Sequence, residues 1–429
     1  QLCRRGQPFF DRSCRWLPLS AALLGGYLAL LAVPPLRAQE PNVQTLIEQL
    51  GSDDFNEREA ASVELLKIGE PALLALSAVE HGSDVETRER AKAIRQSIER
   101  EKYDQLAQTF MRDPDPTASY GLPGWKSFSS VAGTTRTAKR LFLEMIEKRR
   151  IVAMSLEAID GGTLAPGVFE GLPTDPHQRL WTVIGKTASD IRFNLYIKGE
   201  RPVSGDVLAL LISVAVLDSP PQDLHDAIRS EIQFGGVERF LAQPSSRICI
   251  RKLLGRWMLK APLTMGEEVM VIAHQTQVPE GADMARRLLA QPSDKEIMSK
   301  ALLCLAKFGN VGDLDLIDKF VDDMTVLSLD PTILGDEFRE ERTAPPSSAP
   351  GKDPTAPPKY RRLLGDVALV AGLKIANFDL EQFFPGIRVH DDFGVIEATI
   401  GFPVANPAVR EAAVKAWREF RAKNAQPAT

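Results

Sequence analysis

The stretch "LIEQLGSDDFNEREAASVELLKIGEPALLAL" (46–76) decides the fold, because its middle is written twice. "GSDDFNEREAA" starts at Gly51, and "GSDVETRERAK" starts about thirty residues later at Gly82. Each copy is a turn signal, an acidic helix start and then a helix rich in apolar residues. Ala61, Leu65 and Ile68 form one stripe of the first helix, while Val63 and Leu66 face elsewhere. A helix apolar on more than one side is expected to be sandwiched between neighbours. Repetition at this period marks a helical array, whose single units cannot bury their own apolar face and must stack. Asp54 with Glu57 resembles a capping box, Ser83 with Glu86 fits that pattern more closely, and Pro71 opens the next helix after Gly69.

Working outward, the same grammar returns at 293–323. Ser293 and Glu296 read as another capping box, Ile297, Ala301, Cys304 and Phe308 follow at helical spacing, and Gly309 closes the helix. "KFGNVGDLDLI" (307–317) echoes "KIGEPALLAL" (67–76). Residues 138–146, 151–159, 207–217 and 248–258 read as buried helices. The run 207–217 is apolar apart from Ser213 but too short to span a bilayer. One segment dissents. Ile191, Phe193, Leu195 and Ile197 alternate with Arg192, Asn194 and Tyr196, which predicts a strand that pairs with "LWTVIG" (180–185) as a small hairpin near 180–198. Six prolines mark 343–359 as linker-like. The final helix begins at Asn406 and Pro407 and buries Val409, Ala413, Ala416 and Phe420.

The first 38 residues stand apart. Arg4, Arg5, Arg12 and Arg15 precede the apolar run "WLPLSAALLGGYLALLAV" (16–33), the layout of a secretory signal cleaved near Ala38 or of an uncleaved N-terminal anchor. These residues hold five arginines and one aspartate, a net +4, so a formal charge of −5 for all 429 residues becomes −9 for the remainder. An acidic exported chain lacks the basic footprint of a nucleic-acid binder. Lys148, Arg149 and Arg150 form only a short run, read as a solvated helix end. Cys249 and Cys304 both sit in apolar helical patterns, where a free buried thiol is the expectation.

These readings give an all-α chain of HEAT-like helical repeats, an α-solenoid of regular or irregular form. The organisation is a signal or anchor at 1–38, N-terminal repeats at 43–112 and a helical region at 120–333 with a divergent insertion at 160–205. A proline-rich linker at 334–360 and a C-terminal helical segment at 361–423 complete it.

The opening motif resembles that of exported HEAT-like repeat proteins abundant in planctomycete bacteria. "LPGWKSFSSVAG" with "AKRLFLEMI" (122–146), "RKLLGRWM" (251–258), and "GDVALVAGLKI" with "REAAVKAWREF" (365–420) fit the same resemblance. It implies an α-helical, repeat-built, exported protein, and it carries over no functional residues. A departure falls at Leu373-Lys374-Ile375-Ala376-Asn377, where that group has a polar His-Leu-Thr-Gly-like stretch.

Chemistry is sparse in the sequence. His81, His177, His225, His274 and His390 are scattered, with no HExxH or CxxC spacing. No nucleophile elbow, phosphate loop or dinucleotide fingerprint occurs. "HDDFG" (390–394) lacks the partner motifs of a kinase and reads as a solvated acidic turn. No catalytic residue, metal ligand or cofactor is expected. Trp125, Phe383 and Phe384 are the candidate partner contacts, with core anchoring the competing reading for Trp125, and Trp181, Trp257 and Trp417 are expected in the core. The acids Asp53, Asp54, Glu57 and Asp84 read as helix caps and dipole partners. The expected function is an exported, non-catalytic scaffold or protein-binding module of the periplasm, envelope or medium. Its partner is a protein, not a nucleic acid, and a membrane enters only through an uncleaved leader. The alternatives are an enzyme or small-ligand binder with its site in 160–205 or 377–400, and a structural envelope component.

Overall fold

A computed structural model describes residues 42–424 apart from 81, 83, 116–117, 163–168, 200–202, 234, 329–359, 385 and 391–393. The leader, most of the linker, and the expected roles of His81, Ser83, Pro385 and 391–393 lie outside the described residues. Seventeen α-helices and five short strands are present among those described, so the chain is all-α in its main architecture. Two compact units divide it, one running to Lys102 and the other from Tyr103.

The first unit holds α1 (Val43–Gln49), α2 (Phe55–Ile68), α3 (Leu73–Val79) and the start of α4 (Val85–Arg112). Its core is Leu46, Ile47, Leu50, Ala61, Leu65, Ala72, Leu76, Ala91, Ile94 and Ile98. The two written starts share their capping chemistry. Asp54 caps α2 by accepting from the Asn56 N–H at 2.8 Å, and Asp84 caps α4 by accepting from the Thr87 N–H at 3.1 Å. The two starts touch: a Cβ on Gly51 would lie 2.7 Å from Thr87 Oγ1, so the close approach requires glycine. The expected box at Asp54 is replaced by a relay. The Asp54 N–H donates to Ser52 Oγ at 3.1 Å, and that hydroxyl donates to Glu57 at 2.6 Å. Within this unit the expected second buried face of α2 is absent, since Val63 and Leu66 are exposed.

One device that the repeat reading passed over recurs in both units. Arg58 and Arg88 occupy the fourth position of their helices and donate back to the carbonyls of Ser52 (2.7 Å) and Gly82 (3.3 Å). Arg179 and Arg247 do the same in α7 (Pro176–Phe193) and α11 (Pro244–Lys260), donating to Pro173 (3.0 Å) and Leu241 (2.7 Å). In all four the acceptor lies six residues before the arginine, so a long cation ties the incoming turn to the first helical turn.

In the second unit α8 (Ser204–Val216) is the central rod. Every residue from Gly205 to Val214 is buried, as a helix apolar on all sides requires. Around it pack α5 (Trp125–Ala132), α6 (Arg136–Ile159), α7, α9 (Gln222–Gln233) and α11. The helices expected at 138–146 and 151–159 are one element, α6, interrupted by non-helical backbone at Arg149 (φ −134°, ψ 52°). The run Lys148–Arg150 is therefore a kink rather than a helix end, and Arg149 Nε reaches Asp206 at 2.7 Å. The expected hairpin at 180–198 is also corrected. Leu180, Val183, Ile184, Thr187, Ala188 and Ile191 make a buried helical stripe, and residues 194–198 close α7 with a π turn. Trp181, expected in the core, stands 53% exposed on the opposite side of that helix.

The remaining helices extend the same core. After α10 (Glu238–Ala242) come α12 (Gly266–Thr276), α13 (Gly281–Leu289), α14 (Lys295–Phe308) and α15 (Leu314–Asp318), with α16 (Leu364–Ile375) against α14 and α17 (Pro407–Asn424) against α16. Asp294 rather than Ser293 caps α14, accepting from the Glu296 N–H at 2.8 Å. Strands β1 (Val326–Ser328), β2 (Tyr360–Leu363) and β5 (Phe402–Pro403) form an antiparallel sheet in the order β1-β2-β5, and β3 (Val389–His390) pairs with β4 (Gly394–Val395). This sheet and α16 place the C-terminal segment in the same hydrophobic core as the helices before the linker. Three polar bonds hold α17: Trp417 Nε1 donates to Asp318 at 2.6 Å, Arg421 to Asp318 at 2.6 Å and Arg410 to Asp366 at 2.7 Å. No described helix is long and apolar enough to cross a membrane.

Candidate functional site

The C-terminal end of α4 and the start of α6 enclose an open cleft of about 850 Å³. Ala107, Met111 and Leu143 supply its apolar lining, and Asp104, Gln108, Arg112, Asp113, Thr134 and Arg136 its polar one. One wall is held by Lys139, which is buried. Its ammonium donates to the carbonyls of Phe110 (3.0 Å), Asp113 (3.1 Å) and Asp115 (3.0 Å), and it lies 4.7 Å from the Phe110 ring centre. The last carbonyls of a helix carry partial negative charge, so a lysine bound to Phe110 in the last turn of α4 and to Asp113 and Asp115 just after it both caps α4 and holds the chain that leaves it. Behind the wall Phe110 packs edge-on to Trp125 at 4.9 Å, with Phe128 and Phe142 completing the cluster.

The cleft's polar lining sets Arg112 and Arg136 among the acids Asp104 and Asp113. Arg112 and Arg136 are exposed, and neither has an ion-pair or hydrogen-bond partner among the described residues. Thr135 Oγ1 caps α6 by accepting from the Ala138 N–H at 3.2 Å, which sets Arg136 at the first position of that helix beside its positive dipole end. Tyr103 donates to the Leu143 carbonyl at 3.3 Å, and burial, helped by Glu147 and Asp104, pushes its hydroxyl up to about 12.

The expected partner contacts fall elsewhere. Trp125 is buried in the aromatic cluster, and α5 is fixed there by acids of α6. The Gly124 N–H donates to Glu157 at 2.8 Å, and the Ser127 N–H donates to Asp160 at 2.9 Å. Phe384 is fully buried against Phe402, with ring centres 4.6 Å apart. Neither offers a contact to a partner, because each fills core volume. Phe383 is half-buried against Phe378 and keeps an accessible edge. Trp257 and Trp417 are in the core as expected. Cys249 and Cys304 are free buried thiols, and burial pushes Cys304 up to about 12.

Two strongly perturbed side chains lie on α9 and line no part of the cleft. Glu231 is buried with no hydrogen-bond partner on either carboxylate oxygen, and burial, reinforced by the charge of Asp206, pushes it up to about 7. His225 is buried with Nδ1 unpartnered, and burial pushes it down to about 4 against a small opposing pull from Asp226. Among the described residues no group of three or more His, Cys, Asp or Glu is arranged to hold a metal ion. The arginine rim was legible only as single cations in sequence; nothing there brings Arg112 beside Arg136 across 23 intervening positions.

Comparison of the chain with protein-family models, with curated proteins and with solved structures finds no match.

Proposed function

We propose that this chain is an exported, non-catalytic binding module built on HEAT-like helical repeats, and that the α4–α6 cleft receives an acidic segment of a protein partner. The observation that carries the reading is the pair Arg112 and Arg136, two exposed cations that have no partner among the described residues and line an 850 Å³ cleft. Exposed guanidinium groups make planar, bidentate bonds to carboxylates, and the apolar lining of Ala107, Met111 and Leu143 would accept the carbon skeleton between them. The Lys139 clamp keeps the wall in place before the partner arrives, so little ordering cost falls on binding. Recurring helix starts in both units support the repeat reading, since the same cap and arginine tie are used on α2, α4 and α7. Affinity capture from envelope extracts tests the proposal, with partners identified by mass. The wild-type chain is expected to retain a protein that Arg112→Glu/Arg136→Glu loses. Equal capture by both chains would place the binding surface elsewhere.

A further inference from the structure

The outward side of α7 exposes several large apolar side chains. A helix packed on one side ordinarily turns polar residues to solvent. Here Trp181 is 53% exposed, Phe193 54%, Tyr196 59% and Ile197 70%. Gly185 and Ser189 stand between Trp181 and Phe193 at four-residue steps, so the apolar groups share one side of the helix with only small residues between them. The π turn at 194–198 gathers the last three into one patch, because Phe193, Tyr196 and Ile197 fall within a single wide turn. Trp181 and Phe193 are twelve positions apart, about 18 Å along the axis at 1.5 Å per residue.

The charge around this patch inverts that of the chain. Among the described residues from Lys186 to Lys198, Lys186, Arg192 and Lys198 stand against one acid, Asp190, in a chain of formal charge −5. None of the three cations has a carboxylate partner among the described residues, and Lys198 instead lies 5.8 Å from the Phe193 ring centre. Elsewhere other cations are paired: Arg90 with Glu59 and Glu86, Lys295 with Asp323, Arg418 with Asp322.

We propose that the outward face of α7 and its π turn is a docking surface for a bilayer that carries anionic lipid. Tryptophan and tyrosine prefer the headgroup boundary, where an amphipathic ring meets both phases. Phe193 and Ile197 enter the acyl region below it, and Lys186, Arg192 and Lys198 lay their alkyl stems along the apolar surface while their charged ends reach lipid phosphates. The opposite side of α7 stays packed on the core, so the helix lies in the plane of the interface and does not span it. This attachment is separate from the apolar run at 16–33 and from the α4–α6 cleft.

Vesicle flotation of the full chain tests the proposal, with phosphatidylcholine vesicles compared to vesicles that also contain phosphatidylglycerol. The wild type is expected to float preferentially with the anionic vesicles, and less so as salt is raised. Each basic side chain near such a surface strengthens binding about fivefold, so Lys186→Glu/Arg192→Glu/Lys198→Glu should weaken the anionic preference by about a hundredfold or more. Trp181→Ser/Phe193→Ser/Ile197→Ser should reduce flotation with both vesicle types. All six positions carry solvent-facing groups, and unchanged far-UV circular dichroism confirms that the variants fold. Flotation of both variants equal to the wild type would assign attachment to residues 16–33 and overturn the proposal. A wild type without preference for anionic vesicles would overturn it as well. Retention of the captured protein by the charge variant distinguishes this surface from the cleft, whose failure would be read with Arg112 and Arg136.

Discussion

Glu231 and His225 sit two turns apart on α9, both buried, and their effects on stability run in opposite directions with pH. Glu231 is protonated in the folded chain up to about 7, whereas its unfolded value is 4.5. Its contribution is whole below 4.5 and is lost as pH rises towards 7, because only the unfolded state releases the proton in that window. His225 remains neutral in the folded chain down to about 4, against 6.5 when unfolded. Its contribution is whole above 6.5 and is lost as pH falls towards 4, because only the unfolded state takes up the proton. Between 4.5 and 6.5 each group changes stability by about 1.4 kcal/mol per pH unit, or roughly 2–3 kcal/mol in all, with opposite sign. The two slopes cancel in the wild type. Glu231→Gln should therefore unmask a stability that rises with pH by about 2–3 kcal/mol across this interval, and His225→Gln one that falls by a similar amount.

Urea unfolding at several pH values between 4.5 and 6.5, followed by circular dichroism, reads these slopes directly. Asp366, which burial raises despite its bond to Arg410, contributes equally to all three proteins and drops out of the comparison. Asp313 and Asp323 are lowered by Arg286 and Lys295 against the opposing effect of burial, so their contributions are lost only below the ordinary carboxylate range. Parallel profiles for the wild type and both variants would refute the reasoning. They would mean that Glu231 and His225 are solvated well enough to titrate as they do in the unfolded chain.

Other substitutions read the fold element by element. Lys139→Met should cost about 2–4 kcal/mol in chemical unfolding, since the carbonyls of Phe110, Asp113 and Asp115, at and just after the end of α4, lose the donor they share. Arg247→Ala should cost about 1–2 kcal/mol and Arg247→Lys somewhat less, because an ammonium can still reach the Leu241 carbonyl while losing the planar geometry. Gly124→Ala should cost about 2 kcal/mol or more, from a φ of +81° and a Cβ 2.6 Å from the Ala153 carbonyl oxygen; calorimetry would show it. Native alkylation at pH 8 should leave Cys304 unmodified, and mass spectrometry after unfolding should recover Cys249 and Cys304 as separate thiols.

What the sequence made legible is what depends on neighbours along one helix. Caps at Asp54 and Asp84, the Gly309 helix end, and the all-round apolar run that became α8 follow from local spacing, and the structure places them accordingly. The hairpin expected near 180–198 failed for a physical reason in the same segment. Alternation from Ile191 to Ile197 and the helical stripe from Leu180 to Ile191 overlap, and the longer stripe buries more apolar surface. The alternating residues Phe193, Tyr196 and Ile197 then face solvent, which turns a misread strand into the most exposed apolar patch of that helix. The Trp181 expectation failed with it, since a tryptophan in an apolar run has no marker for which side of the helix the core will take. The rim of the cleft was beyond reach for a different reason. Arg112 ends one helix and Arg136 starts another, and their meeting depends on Lys139 folding the α4 terminus onto α6. That lysine reads in sequence as one more surface charge between apolar residues. Its burial follows only once three carbonyls at and just beyond the end of α4 converge on it, and Lys139→Arg sharpens the point. A guanidinium could satisfy the same acceptors electrically, yet it is too broad for a site whose floor is the Phe110 ring 4.7 Å away. Stability should fall by about 1–3 kcal/mol with charge conserved. A thermal midpoint equal to the wild type would show that charge alone, and not the ammonium's compact shape, holds the wall of the cleft.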